Sequence, residues 1–276
     1  MINKFLNQLH SEGKADSTVM EYRFRLNKFM TYLDKNDMDY HDIKTPDLID
    51  FRQYMLDEGL SSRRSNNIFS TLHCFYDFLM LYNEVTVNPV AKGLHMPTKN
   101  KRIERLSDED IRQFRAYIDQ LHPNVRCAFL LMLTTGARVG EVANLKKSDF
   151  IIKNDQLYVS ITNAKWQSDR EVPILDTNIA NILWPYLIDL DINSLPAFRT
   201  SKRTLQRHMS NFSKDTGIDC CCHLLRHTFA AKLLEQNIPM EVIKTLLGHK
   251  TLNMTAYYTQ SARVDLTRIT ADMWSV

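Results

Sequence analysis

One stretch of this chain limits its architecture more than any other. Residues 92–105, KGLHMPTKNKRIER, hold Gly93 and Pro97, few large apolar residues, and six basic side chains, counting His95, against one acidic. Glycine and proline punctuate helix and strand alike, so no packed element is expected to run through it. It predicts a boundary, with one domain over 1–91, a basic linker over 92–105 and a second domain over 106–276. A chain of 276 residues is long enough for two domains, each with its own core. Taken by itself, the basic run reads equally as a plain solvated linker.

The first hundred residues predict helices with short breaks. In STVMEYRFRLNKFMTYL, Thr18 precedes Glu21 by three positions, a capping-box spacing, and Tyr22, Leu26, Phe29 and Leu33 then recur on one helical face. A second helix is expected from Thr45-Pro46, where proline suits the first turn, to about Glu58, ending at Gly59. A third runs from Ser62 to about Tyr82, burying Ile68, Leu72, Phe75 and Phe78 or Leu79, before Asn88-Pro89. Beyond the linker, a helix starts at Ser107 and a long helical stretch breaks at Gly136. Between 150 and 174 the period changes: DQLYVSI alternates Leu157, Val159 and Ile161 with polar neighbours, and REVPI resembles its partner strand. Helices resume near Asp176. The fold class is therefore mainly α with a small antiparallel β-sheet: an N-terminal helical domain, then a mixed α+β domain.

Composition narrows the class further. The chain is 44% hydrophobic and 24% charged, with no apolar run of membrane-spanning length and no apolar region of a signal peptide in MINKFLNQLHSEGK. It reads as cytoplasmic, with no membrane partner. The five cysteines, Cys74, Cys127, Cys220, Cys221 and Cys222, are odd in number and suit no disulfide framework. Consecutive cysteines before His223 lack the spacer that lets ligands converge on a metal, so small buried thiols are expected instead. The net charge is +3; residues 1–100 hold 12 basic and 13 acidic side chains, leaving 23 and 19 of the total 35 and 32 beyond. That excess permits a nucleic-acid partner without demanding one.

Several polar residues are ordinary singly and informative together. Arg138 follows Thr-Thr-Gly-Ala with Glu141 three residues on, a spacing that also suits a simple helix-end ion pair. His223 and Arg226 share a helical face; they repel one another when charged, but can hold a common anion, and they read equally as a half-buried histidine beside an unrelated surface arginine. Lys165 stands in the loop between two strands, beside Trp166, and His249 follows Gly248 at a helix end where it could merely satisfy carbonyls. Tyr257 and Tyr258 follow. Two arginines, two histidines, a lysine and a tyrosine can bind a phosphodiester and attack it without a metal or other cofactor. Two-metal hydrolysis wants clustered carboxylates, and a triad hydrolase wants a G-x-S-x-G turn; neither pattern is found.

At these residues the chain resembles the tyrosine recombinases of the phage-integrase family, over nearly its whole length. Thr135-Gly136-Ala137-Arg138-Val139-Gly140-Glu141 is similar to the family's TG-x-R-x-x-E, His223-Leu224-Leu225-Arg226-His227-Thr228-Phe229-Ala230 to its H-x-LRHTFA, and Leu247-Gly248-His249 to its LGH. The family's tyrosine lies nine residues after that histidine, at Tyr258, and its hairpin lysine eight before the proline of Arg170-Glu171-Val172-Pro173, at Lys165. Ser17, Thr18, Tyr22, Leu26 and Phe29 resemble its core-binding domain. Ala137 often aligns with leucine, and Gln260 with histidine.

The resemblance implies a core-binding domain and a catalytic domain clamped around double-stranded DNA carrying inverted-repeat core sites. It implies site-specific recombination through a 3′-phosphotyrosine link, with catalytic Arg138, Lys165, His223, Arg226, His249 and Tyr258 and supporting Glu141. DNA contacts are expected at Lys99, Lys101, Arg102, Arg63 and Arg64. It further implies a monomer when free, a homotetramer in synapsis, and the simpler type without an arm-binding domain. The tail, through Leu266, Ile269 and Met273, is a candidate for docking on a neighbour. A type IB topoisomerase using the same chemistry and a catalytically silent DNA-binding module are the rival readings.

Overall fold

The computed structural model describes residues 1–98, 105–162, 169–190, 195–249 and 251–256. The chain divides into two compact units, 1–100 and 101–276. Among the described residues no helix is long and apolar enough to cross a membrane.

Four helices make the first unit: α1 (Ile2–Ser11), α2 (Asp16–Lys35), α3 (Thr45–Asp57) and α4 (Ser62–Leu81). Each turns one apolar stripe inward, among them Leu26, Phe29 and Leu33 of α2, Leu48, Phe51 and Met55 of α3, and Ile68, Leu72, Phe75 and Leu79 of α4. The core is largely aromatic, with Phe29 edge-on to Phe51 at 5.1 Å between ring centres and Phe5 edge-on to Phe75 at 5.5 Å. The expected capping box at Thr18 and Glu21 does not form. Helix α2 begins earlier, behind Ala15 with no side-chain cap, because Asp16 in the first turn already complements the positive helix end. The first residues of the basic stretch are not free of the fold. Lys92–Leu94 forms a 3-10 turn, Val90 and Leu94 are buried in the first core, and the Asn66 amide pairs both ways with the Met96 backbone at 2.8 Å.

In the second unit α5 (Asp108–Ile118) starts on a Ser107–Asp110 capping box. Helix α6 (Pro123–Thr135) is buried on most of its surface and ends where Gly136 takes a left-handed φ of 62°, before the short α7 (Val139–Asn144). Three antiparallel strands follow in the order β1 (Phe150–Lys153), β2 (Gln156–Ile161), β3 (Arg170–Pro173). The pairing of β2 with β3 sets Val159 opposite Val172 and Ile161 opposite Arg170, and Leu157, Val159 and Ile161 face the core as the alternation predicts. Strand β1, too short to show a period, adds a third strand to the expected pair. Helices α8 (Thr177–Ile188), α9 (Lys202–Thr216), α10 (Cys222–Glu235), α11 (Met240–Leu247) and α12 (Leu252–Ala256) complete the described chain. The expectation of small buried thiols at the consecutive cysteines needs correction: Cys222 is buried, but Cys220 is intermediate and Cys221 is exposed, because it stands on the solvent side at the start of α10; elsewhere Cys127 is buried and Cys74 exposed.

Candidate active site

The site grows from a glycine. Gly136 terminates α6 with its carbonyl turned toward α10, and a Cβ there would meet Phe229 Cδ1 at 2.6 Å and Leu247 Cδ2 at 2.8 Å. Only glycine fits both the left-handed backbone and that close approach. The chain straightens through Ala137 and delivers Arg138 to the N-cap position of α7. There the Arg138 amide donates to Glu141 Oε2 and its Nη1 to Oε1, both at 2.8 Å.

Arg226, on α10, is only 1% exposed. Its Nη1 donates to the Gly136 carbonyl at 2.8 Å and its Nη2 to the Leu247 carbonyl at 2.6 Å. The surface-arginine reading of this residue therefore fails. The guanidinium is held between the ends of two helices, whose last carbonyls need donors and whose dipoles favour a cation. His223, one turn earlier on α10, stays exposed and lines the same cleft as Arg138, Glu141 and Arg226, a cleft of about 1050 Å³. Crowding around its ring, then the charges of Arg226 and Arg138, lower its pKa. His227 stands edge-on to His223 at 4.6 Å and is lowered to about 4 by burial, His223 and Arg226.

His249 follows Gly248, which ends α11 at a left-handed φ of 64°. Its Nδ1 lies 2.9 Å from Thr255 Oγ1, and its amide donates to the Lys244 carbonyl of α11 at 3.0 Å. Burial, followed by Arg226, Arg138, Arg170 and His223, pushes its pKa down to about 3. The ring is therefore neutral near pH 7.

The fold thus gathers Arg138, Glu141, His223, Arg226 and His249 from separate parts of the second unit. Arg63 and Arg64 lie exposed on the first turn of α4, in the first unit. Lys99, Lys101, Arg102, Lys165, Tyr257, Tyr258 and the tail lie outside the described residues. Among the described residues, no three His, Cys, Asp or Glu side chains gather closely enough to hold a metal. One member of the site, Arg170, reads in the sequence only as a motif marker. From β3 it donates from Nη2 to Glu141 Oε2 and from Nε to the Leu246 carbonyl, both at 2.8 Å. The one signal for it is an arginine at a position where strand alternation calls for an apolar side chain.

The phage integrase family model matches residues 104–264, more than half of the chain, and the model of the phage integrase N-terminal SAM-like domain matches residues 2–83. The chain belongs to the phage integrase family. With that family it is a tyrosine recombinase, an enzyme that breaks and rejoins DNA strands through a covalent phosphotyrosine. Among its relatives, the tyrosine recombinase XerA of Pyrococcus furiosus is 28% identical over 94% of this chain and 89% of its own length. The tyrosine recombinase XerD of Rickettsia bellii is 27% identical over 94% and 93%. A lambda integrase dimer bound to a COC′ core site shares the fold at a TM-score of 0.76 and 23% identity, covering 95% of this chain and 94% of that one. The XerH recombinase bound to palindromic difH substrate shares it at 0.72 and 22%, covering 88% and 76%.

Proposed function

We propose that this recombinase runs its reaction with Tyr258 as nucleophile and with Arg138, Arg226, His223, His249 and Lys165 around the scissile phosphate. The observation that carries the reading is the convergence of Arg138, Arg226 and His223 on one cleft, with a neutral His249 among the same charges. Guanidiniums held in fixed geometry match two non-bridging phosphate oxygens and the charge added to them in the transition state. A neutral His249 can donate one more hydrogen bond to those oxygens. His223, open to the cleft and lowered toward neutrality, can take the tyrosine proton.

The step balances without a cofactor. Tyr258 Oη forms a bond to phosphorus, the P–O5′ bond breaks, and Lys165 supplies the proton that leaves with the free 5′-hydroxyl. A 5′-hydroxyl from another strand reverses the step and releases the tyrosine, so bond energy is conserved. Glu141 holds Arg138 from two directions.

DNA contacts extend to Lys99, Lys101 and Arg102 and to Arg63 and Arg64. The last two support a phosphate partner in a physical sense: cations in a first helical turn oppose the helix dipole, so they cost the free helix and gain against an anion. The domains read as core-binding over 1–91 and catalytic over 106–276, joined by 92–105. Lambda integrase forms a dimer on a core site and a tetramer on a Holliday junction, which supports assembly on double-stranded DNA with inverted core sites here.

A suicide duplex, nicked near the cleavage point so that the short 5′-ended fragment diffuses away, tests the reading. The wild-type chain and Tyr257→Phe form a covalent protein–DNA adduct, and Tyr258→Phe binds the duplex but forms none. An adduct lost in Tyr257→Phe and kept in Tyr258→Phe moves the nucleophile one residue back.

A further inference from the structure

Arg170 occupies a position that its strand reserves for an apolar side chain. In β3 the residues alternate, with Arg170 and Val172 buried and Glu171 exposed, and Arg170 pairs across the ladder with Ile161 of the core. Its side chain is 3% exposed. A buried guanidinium is costly unless every contact compensates it, and a hydrophobic residue of like volume would fill the same place more cheaply. Conflicts of this kind between local pattern and residue type gather at functional sites.

The contacts show what the charge does there. Arg170 reaches Glu141, 29 positions earlier, and the Leu246 carbonyl, 76 positions later. Arg226 holds the next carbonyl, that of Leu247, and also the Gly136 carbonyl. Gly136 is two residues from Arg138, and Arg138 returns to Glu141. The bonds therefore close a ring: Arg138, Glu141, Arg170, the end of α11, Arg226, Gly136 and back to Arg138. Two guanidiniums grip successive carbonyls at the end of α11, immediately before the Gly248 turn that presents His249. Opened at Arg170, the ring leaves the end of α11 with one of these grips and Glu141 with one cation fewer.

We propose that Arg170 is a positioning residue of strand cleavage, setting the distance between the His249 turn and the Arg138–Glu141 pair while touching no substrate itself. The proposal rests on the reading of the site given above. It differs from a purely structural role in its kinetic signature. A loosened ring misplaces transition-state contacts and leaves the wider DNA surface intact.

The test uses the full-length chain and the nicked suicide duplex, with adduct formation measured in single turnover on saturated DNA and duplex affinity measured separately. Arg170→Lys keeps the charge but lacks the planar fork needed to reach Glu141 and the Leu246 carbonyl together. It is expected to bind the duplex as the wild type does and to form adduct on the order of a hundredfold more slowly, the scale of loss that small misplacements cause. Glu141→Gln combined with Arg170→Lys is expected to cost little more than either alone, since both open one ring. Wild-type adduct rates in Arg170→Lys and Arg170→Met overturn the inference. So does Arg170→Lys losing affinity and rate in parallel, or failing to fold, because the residue is then only structural. A wild-type chain that forms no adduct sinks the reading of the site instead, which separates the two failures.

Discussion

Among the described residues Arg226 is one of the largest fully buried side chains, and its environment explains why a charge can lie there. Helix ends leave carbonyls without partners, and α6 and α11 end against each other with a guanidinium between them. Arg226→Lys, a point charge on a flexible stem, cannot bridge both ends in a plane. It is expected to bind DNA and lose on the order of a hundredfold in cleavage, read as the single-turnover adduct rate. Gly136 is as constrained as the arginine it serves. Gly136→Ala forces a Cβ into Phe229 and Leu247 at a φ of 62°. Its expected cost is roughly 1–3 kcal/mol of stability, measured by urea denaturation. At this scale the motif residues were legible because their spacing is local. Arg170 was not, because its partners are remote in sequence and nothing nearby signals them.

At the scale of elements, α10 carries His223 and Arg226 of the site, and its His227 shares the acid sensitivity of this region with His249, which follows α11. His227 and His249 have folded pKa values near 4 and 3, against an ordinary value of 6.5. Below pH 6.5 the unfolded chain takes up protons that the folded chain refuses, so these groups remove stability as pH falls and contribute nothing above that value. The slope approaches about 1.4 kcal/mol per pH unit for each group between pH 6 and 5. Thermal melts at pH 7.5, 6 and 5 should show the loss, and His249→Gln should flatten it. The start of α10 also sorts its thiols: Cys222 is buried, with its thiol pushed up to about 12 by burial and by Cys221, whereas Cys221 is exposed in the cleft. A maleimide applied to the native chain should label Cys221 and Cys74 well before Cys127 and Cys222, as mass spectrometry would read. The second half of the helix has a tethering task that its sequence hides. Thr228 Oγ1 accepts the Leu106 amide at 3.0 Å and Glu235 pairs with Arg105, so the start of the second unit is tied to the site-bearing helix.

For the whole molecule, two units, each with its own core, were predictable from helical periodicity and from one break rich in glycine, proline and charge. DNA affinity, carried by phosphate contacts, should fall with salt. Arg63→Ala with Arg64→Ala should lower the slope of log affinity against log salt by about 0.9 for each phosphate no longer neutralised, in binding titrations across salt. An unchanged slope would remove both residues from the interface. What the sequence by itself determined is everything set within a turn or two of chain: the helices and their glycine stops, the alternating strands, and the residue types that carry phosphoryl chemistry. The tertiary structure decided which of these meet. Glu141 receives a second guanidinium, Arg226 lies in the core, and two arginines from different elements grip the end of α11. Those interactions satisfy buried polar groups contributed by distant segments, and such accounting closes only when the chain has packed.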